Sequence, residues 1–175
     1  GTGVQFRYLG STVQSNGECV REVKKRVQAG WSRWRRVIAG VICDGRVSVR
    51  VKGKVYRTVV RPAMLYGLET VALSKRHELE VAELKMLGFS LGVTTMDKIR
   101  NEFIRGTAHV GCFGDKVREV RLRWFGHVQR RDMNYIGTRM LRMEPPGRRK
   151  RGRPRRRIMD VVKEDMQVVG VKEAD

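Results

Sequence analysis

The sequence predicts a mainly α fold, a helical bundle with a residual N-terminal strand or hairpin and a disordered basic segment. Apolar residues recur at steps of three and four along most of the chain, which is the spacing of a buried helix face. Gly and Pro interrupt this spacing at intervals typical of helix lengths. Residues 144–157 are so rich in Arg, Gly and Pro that we expect them to be extended and mobile rather than packed in a core.

The first predicted elements are a strand and a long helix. Residues 4–13 begin with alternating apolar and polar side chains and lead to a Ser-Asn-Gly turn, as in a strand or hairpin arm. A helix is predicted from Cys19 to Gly40, because its apolar residues share one face. Trp31 and Trp34 lie on that face, so we expect them to pack in the core.

A second helix is predicted after Asp44, a good N-cap residue. Its apolar row consists of valines that repeat every four residues, namely Val47, Val51, Val55 and Val59. Its polar surface consists of basic residues, namely Arg50, Lys52, Lys54, Arg57 and Arg61. Pro62 either kinks this helix or begins a new one over residues 63–73, and Ser74 is placed to cap the helix after that.

The remaining predicted helices are bounded by glycines and acidic residues. Gly92 closes the helix that carries Leu79 and its apolar neighbours, and a short helix is predicted over residues 95–105. Asp115 is predicted to cap a helix over residues 116–131. Residues Ile158–Val169 have the spacing of one more amphipathic helix.

The charge of the chain favours a polyanionic partner. Lys and Arg number 38 against 18 Asp and Glu, a net charge of +20. Sixteen Lys and Arg against four acidic residues fall between Asp115 and Arg157, which places the basic focus late in the sequence. No apolar stretch approaches the ~20 residues that cross a bilayer, so we expect a soluble protein without a membrane partner. The three cysteines are widely spaced, which favours a reducing compartment.

Two segments could contact nucleic acid directly. Arg151-Gly152-Arg153-Pro154 has the form of an AT-hook core, in which two arginines lie along an A·T minor groove. The same cluster is typical of a solvated basic linker or nuclear-import signal, and both interpretations make it an anion-binding segment. Trp124 and Phe125 could stack on bases beside nearby arginines, but the helical spacing of Trp124 with Val117, Val120 and Val128 favours packing of Trp124 in a core.

The sequence contains no recognisable catalytic pattern. His77, His109 and His127 lack metal-ligand spacing with Cys or carboxylates, and no phosphate-cradling glycine loop occurs. Glu78, Glu80 and Glu83 are predicted to form one acidic patch on a helix. Two-metal phosphoryl transfer needs carboxylates held together by a rigid scaffold, which this pattern does not indicate.

Five segments, in order, resemble LINE-type (non-LTR) retrotransposon reverse transcriptases. They are Phe6-Arg7-Tyr8-Leu9-Gly10, the run from Arg61 to Thr70 that includes Pro62-Ala63-Met64-Leu65-Tyr66-Gly67, Asp97-Lys98-Ile99-Arg100-Asn101, the run from Arg121 to Val128 around Trp124-Phe125-Gly126-His127, and Arg151-Gly152-Arg153-Pro154. The first resembles the strand that follows the catalytic palm in that family. Val71 and Ile158 stand where many relatives have Trp, and the Cys/His cluster that some relatives carry near the C-terminus has no counterpart.

The resemblance implies that this chain is a thumb with the basic region after it. We therefore expect a residual palm or primer-grip strand over residues 1–14, a thumb-like bundle over 15–92, a second helical unit over 93–143 and a basic segment with a terminal helix over 144–175. The family's catalytic aspartates and their Mg²⁺ belong to a palm upstream of residue 1, so we expect this fragment to have no cofactor and no polymerase activity alone.

The expected partners are RNA and DNA, held mainly through backbone phosphates. The residues predicted to contact them are Lys24, Lys25, Arg118, Arg121, Arg123, Arg148, Arg149, Lys150, Arg151, Arg153, Arg155, Arg156 and Arg157. The last cluster would also serve as a nuclear-import signal, so we expect a nuclear protein. The alternative is a stand-alone DNA-binding module of AT-hook type or a non-functional retrotransposon relic.

Overall fold

A computed structural model describes residues 5–8, 11–14, 20–71, 76–142 and 157–171. Strands β1 (Gln5–Tyr8) and β2 (Ser11–Gln14) pair antiparallel, with Gln5 opposite Gln14. The helices are α1 (Val20–Val37), α2 (Val49–Val55), α3 (Arg61–Leu65), α4 (Arg76–Leu91), α5 (Asn101–Thr107), α6 (Phe113–Gln129), α7 (Ile136–Arg142) and α8 (Ile158–Val169). The predicted mainly α class is confirmed, and so is the N-terminal strand, which is one arm of a hairpin.

The chain divides into two compact units. The first consists of residues 1–67 and 73–116, and the second of residues 68–72 and 117–175. Helix α6 carries residues of both units, because the division falls within it. The four segments predicted from the sequence stay a prediction.

In the first unit, α1 runs antiparallel to the α2–α3 arm. The guanidinium of Arg26 lies 5.0 Å from the ring centre of Tyr66. One turn further along α1, a Cβ on Gly30 would meet Met64, so the two arms run in opposite directions. The core of this unit includes the buried side chains Val23, Trp34, Ile42, Tyr56, Val60, Met64, Leu79, Ala82, Met86 and Leu87. The predicted packing of Trp34 is confirmed, and Trp31 is half-buried.

The face that α2 buries is not the predicted row of valines. Val51 and Val59 are exposed, whereas Tyr56, Val60 and Met64 are fully buried at the same spacing of four. A π-helical turn over Tyr56–Val60 joins α2 to α3. The shift begins before this turn, because Val51 is already exposed in α2 whereas Lys52 and Gly53 are buried. The valine row was therefore the wrong face.

Pro62 explains why the π turn lies where it does. Pro62 is in the first turn of α3, it has no N–H to donate, and its ring crowds the carbonyl four residues back, that of Thr58. The Thr58 hydroxyl donates to the Lys54 carbonyl at 3.0 Å within this irregular region. The structure favours the first of the two alternatives, because helical backbone runs without a break from α2 through the π turn to α3 and Pro62 lies within it. The predicted end near residue 73 was wrong, because α3 ends at Leu65 and Gly67 follows in the left-handed region with φ 74°.

Three other predicted boundaries shift. Gly40 does not end the first helix, because a second π turn, Ile38–Ile42, continues it. Asp44 caps a turn rather than α2, since its carboxylate accepts from the Arg46 N–H at 2.8 Å and α2 begins after Ser48. The helix predicted over 95–105 is split into a 3₁₀ turn and α5.

Other boundaries agree with the sequence more closely. Gly92 follows the end of α4 with φ 68°, as predicted, while Ser74 lies outside the described residues. Helix α6 begins two residues before its predicted cap, so Asp115 lies in its first turn. The predicted last helix matches α8, which Gly170 closes with φ 74°.

The second unit has a smaller core between α6 and α8. Phe125, Val162 and Met166 are buried, and further apolar side chains pack against them, namely Leu122, Trp124, Leu141, Ile158 and Met159. Trp124 packs against this core, as predicted, although it is only half-buried, and the fully buried aromatic is its neighbour Phe125. Helix α8 is an integral part of this unit, although it follows the most basic segment of the chain.

Candidate nucleic-acid interface

The last turns of α1 carry three exposed arginines, Arg33, Arg35 and Arg36. None of them takes part in an ion pair within the part of the chain that the structure describes. The opposite face of the helix is anchored by buried Val23 and Trp34, so the arginines must point to solvent.

Helix α2 and the π turn after it present a second basic row. Arg50, Lys54 and Arg57 are exposed at spacings of four and three, which places them on one side of the helix. Like the α1 arginines, they form no ion pair among the described residues. We call these six residues, Arg33, Arg35, Arg36, Arg50, Lys54 and Arg57, the α1–α2 basic group.

The α1–α2 basic group belongs to a stretch with almost no acidic residues. Residues 23–68 contain twelve Lys and Arg and one carboxylate, Asp44. Three of the twelve are buried: Arg26 pairs with Glu22, Arg61 pairs with Glu83, and Lys52 is 8% exposed. The predicted polar surface of the second helix therefore does not include Lys52 or Arg61. The sequence analysis placed the basic focus after Asp115, and its predicted contact residues include none of this group. The signal it could have used was the scarcity of acidic residues in this stretch.

Two predicted contact residues, Lys24 and Lys25, lie near the start of α1. Lys24 is exposed and Lys25 is half-buried, and both line a shallow depression with Glu78 of α4. The neighbouring carboxylate offsets part of their charge. They are therefore weaker candidates for phosphate binding than the arginines at the other end of α1.

Arg121, another predicted contact residue, is buried in the second unit. Its guanidinium pairs with Asp165 of α8 and donates to the Val71 carbonyl at 3.3 Å. Arg118 also contacts Asp165, with 3.4 Å between Nε and Oδ1. This arrangement ties α8 to α6, and Arg121 is only 4% exposed. We therefore assign Arg121 a structural role and leave it out of the proposed interface.

The other predicted contact residues differ in how they are placed. Arg123 is exposed and pairs with Glu119 one turn back at 2.7 Å. Arg157 is exposed at the start of α8, where its backbone N–H donates to Asp160. The residues Arg148, Arg149, Lys150, Arg151, Arg153, Arg155 and Arg156, including the AT-hook-like motif, lie outside the described residues.

Glu83 lies at the centre of a buried polar network in the first unit. Its carboxylate accepts from Tyr56 at 3.0 Å and pairs with Arg61 at 2.6 Å and Arg105 at 3.3 Å. Burial and the adjacent carboxylate raise the pKa of Tyr56 well above its ordinary value. Glu83 is completely buried, so the predicted acidic patch does not include it. With two arginines on one carboxylate, this network is built for packing rather than proton transfer.

The described residues offer no metal site. No group of three His, Cys, Asp or Glu side chains in that part of the chain could hold a metal ion. Cys43 and Cys112 are free thiols. No helix among the described residues has both the length and the apolar character that a membrane span requires. Exposed cations are thus the main chemical feature available for a functional site.

Comparison with known proteins indicates a transposon origin. The chain is 25% identical over 147 residues to a Caenorhabditis elegans protein that is described as uncharacterized and transposon-derived. The similarity covers 81% of this chain and 52% of that protein, so the chain spans about half of its relative's length. No protein-family model and no solved structure matches the chain.

Proposed function

We propose that this chain is the thumb and downstream basic region of a LINE-type reverse transcriptase, and that it holds RNA and DNA through phosphate contacts. The observation that carries the proposal is the α1–α2 basic group, in which six exposed cations lie on two helical segments of the first unit without ion-pair partners among the described residues. The transposon-derived relative and the five family-like segments support the same origin.

Phosphate binding is the chemistry that this group suits best. Arginine presents several N–H donors in a plane and binds phosphate oxygens in pairs, and it stays charged at any physiological pH. The buried faces of α1 and α2 fix where the helices lie, but the exposed side chains keep rotamer freedom and can follow a backbone of variable sequence. Affinity should therefore depend steeply on salt and weakly on base sequence.

The experiment measures binding of the full 175-residue chain to RNA, RNA–DNA hybrid and duplex DNA of equal length at several salt concentrations. For duplex DNA, each lost phosphate contact lowers the slope of log K against log salt by about 0.9. The double variant Arg35→Gln/Arg36→Gln should therefore reduce the slope by up to about 1.8 and weaken all three complexes alike.

The matched control is Arg139→Gln/Lys163→Gln, which removes the same charge from exposed positions of the second unit. Equal losses in the two double variants would mean that net charge alone drives binding, and would overturn the assignment to the α1–α2 basic group. A preference for A·T-rich duplex that disappears in Arg153→Ala would instead support the AT-hook alternative. A wild-type chain that binds none of the three nucleic acids would refute the proposal.

A further inference from the structure

A pocket of about 560 Å³ opens in the first unit beside the C-terminal half of α4. Its wall consists mainly of apolar side chains of α4, α5 and the segment between them, among them Phe89 and Ile104. None of the lining residues is acidic, whereas Lys85 and Lys98 both contribute to the wall. The pocket is large enough for a nucleotide-sized ligand.

Phe89 is an exposed aromatic ring whose orientation is fixed. Its side chain is 54% exposed, yet its ring meets buried Trp34 of α1 edge to face, with centroids 6.4 Å apart and planes at 82°. Such a contact favours one orientation of the ring while half of its surface stays accessible. An accessible, oriented aromatic face is what a stacking partner needs.

The rim of the pocket is cationic. Lys85 and Lys98 are exposed and form no ion pair among the described residues. Asp97, which directly precedes Lys98, does not line the pocket, and its carboxylate accepts from the Thr94 N–H at 2.7 Å and hydroxyl at 2.9 Å. The pocket thus combines an apolar floor with free positive charge and an exposed amide, that of Asn101.

We propose that this pocket takes one unpaired nucleobase of single-stranded RNA or DNA, stacked on Phe89, with the adjoining phosphates at Lys85 and Lys98. This inference rests on the proposed function, because it assumes that the chain binds nucleic acid, and it adds a site that prefers single strands to duplex. The lysines favour a nucleotide over an apolar peptide segment, since a peptide would leave both charges unpaired unless it carried acidic residues at matching positions.

The experiment uses the full chain with four probes of 12 nucleotides: single-stranded RNA, single-stranded DNA, duplex DNA and an abasic single strand. Phe89→Leu keeps the apolar bulk but removes the aromatic face, and it should weaken single-strand binding about fivefold to a hundredfold. Duplex and abasic affinities should change less than about twofold. The matched control is Phe103→Leu, an exposed aromatic outside the pocket, which should bind every probe as the wild type does.

Phe89→Trp provides a second measurement that does not depend on the leucine variant folding well. It retains an aromatic face, so it should keep single-strand affinity, and the fluorescence of its added indole should be quenched by single strands but not by duplex or abasic probes. Lys85→Gln/Lys98→Gln should reduce the single-strand salt slope by about 1.4.

The outcomes separate the two proposals. Unchanged single-strand binding in Phe89→Leu, or wild-type binding of the abasic strand as tightly as the intact one, would overturn the base pocket while leaving phosphate binding by the chain intact. An acidic amphipathic peptide that binds the wild type but not Phe89→Leu, without affecting single-strand binding, would also overturn it. If the wild type binds no probe at all, the proposed function itself fails.

Discussion

Replacing Glu83 by Gln should destabilise the first unit more than any exposed substitution of the same kind. The change keeps the size of the side chain but removes the charge that compensates Arg61 and Arg105. Glu83 is fully buried, and the side chains of its two partners are only 7% and 15% exposed. An arginine left in this environment without its counter-ion loses both its solvation and its partner.

The magnitude follows from the burial of the pair. Removing one member of a buried ion pair costs about 3–5 kcal/mol. If the free energy of unfolding falls by roughly 2 kcal/mol for each molar of urea, a loss of about 4 kcal/mol in that free energy lowers the urea midpoint by about 2 M. That loss is a large part of the total stability of an ordinary domain, about 5–15 kcal/mol.

The assay should report the first unit alone, because two units need not unfold together. In a Trp124→Phe background, the remaining tryptophans are Trp31 and Trp34, both in α1, and their fluorescence follows that unit. The control is Glu102→Gln in the same unit, an exposed carboxylate in the first turn of α5 whose loss should cost about 1 kcal/mol or less. A loss below about 1 kcal/mol for Glu83→Gln would refute the view that the buried network holds this unit together.

Two further predictions concern the same unit. Tyr56→Phe should cost about 1.5–3 kcal/mol at neutral pH, because the hydroxyl donates to a buried carboxylate. The pKa of Tyr56 is raised in the folded state, so this stabilisation is complete below the unfolded pKa near 10 and is lost as pH rises above it. The difference in urea midpoint between Tyr56→Phe and the wild type should therefore be smaller at pH 11 than at pH 8. An equal difference at the two pH values would contradict this reasoning. Gly53→Ala should destabilise the unit by about 1–3 kcal/mol or more, because the added Cβ would overlap the Ala108 carbonyl oxygen. Gly40→Ala, whose Cβ would meet nothing within 4 Å, should be neutral or stabilising in the same urea titration. Similar effects at both glycines would show that α2 can move away from Ala108.

Structural features that are set by neighbouring residues could be predicted from the sequence, and features that are set by tertiary packing could not. Helix α8 has the predicted bounds because its apolar residues, such as Val162 and Met166, recur at helical spacing and Gly170 ends it in a left-handed conformation. The face of α2 was not predictable in this way. The valines repeat every four residues, but so does the row of Lys52, Tyr56, Val60 and Met64, and tertiary packing buries the second row.

The only sign of the buried network in the sequence is an acidic residue on an otherwise apolar helix face. Glu83 lies four residues after Leu79 and three before Met86, on the row that forms the core of α4. A carboxylate on a buried row needs a cationic partner. The partner is Arg61, 22 residues earlier, and nothing in the local pattern identifies which of the neighbouring basic residues turns inward. Tertiary packing makes that choice.

Total charge along the sequence and accessible charge in the structure indicate different places for the candidate interface. A count of charges along the sequence favours the region after Asp115, but Arg121 in that region is engaged with Asp165 inside the second unit. The stretch between Val23 and Leu68 also turns two arginines inward, yet it has a single acidic residue, so most of its cations stay exposed. Because a phosphate backbone responds to accessible charge rather than to total charge, the basic helices of the first unit become the stronger candidates for binding nucleic acid.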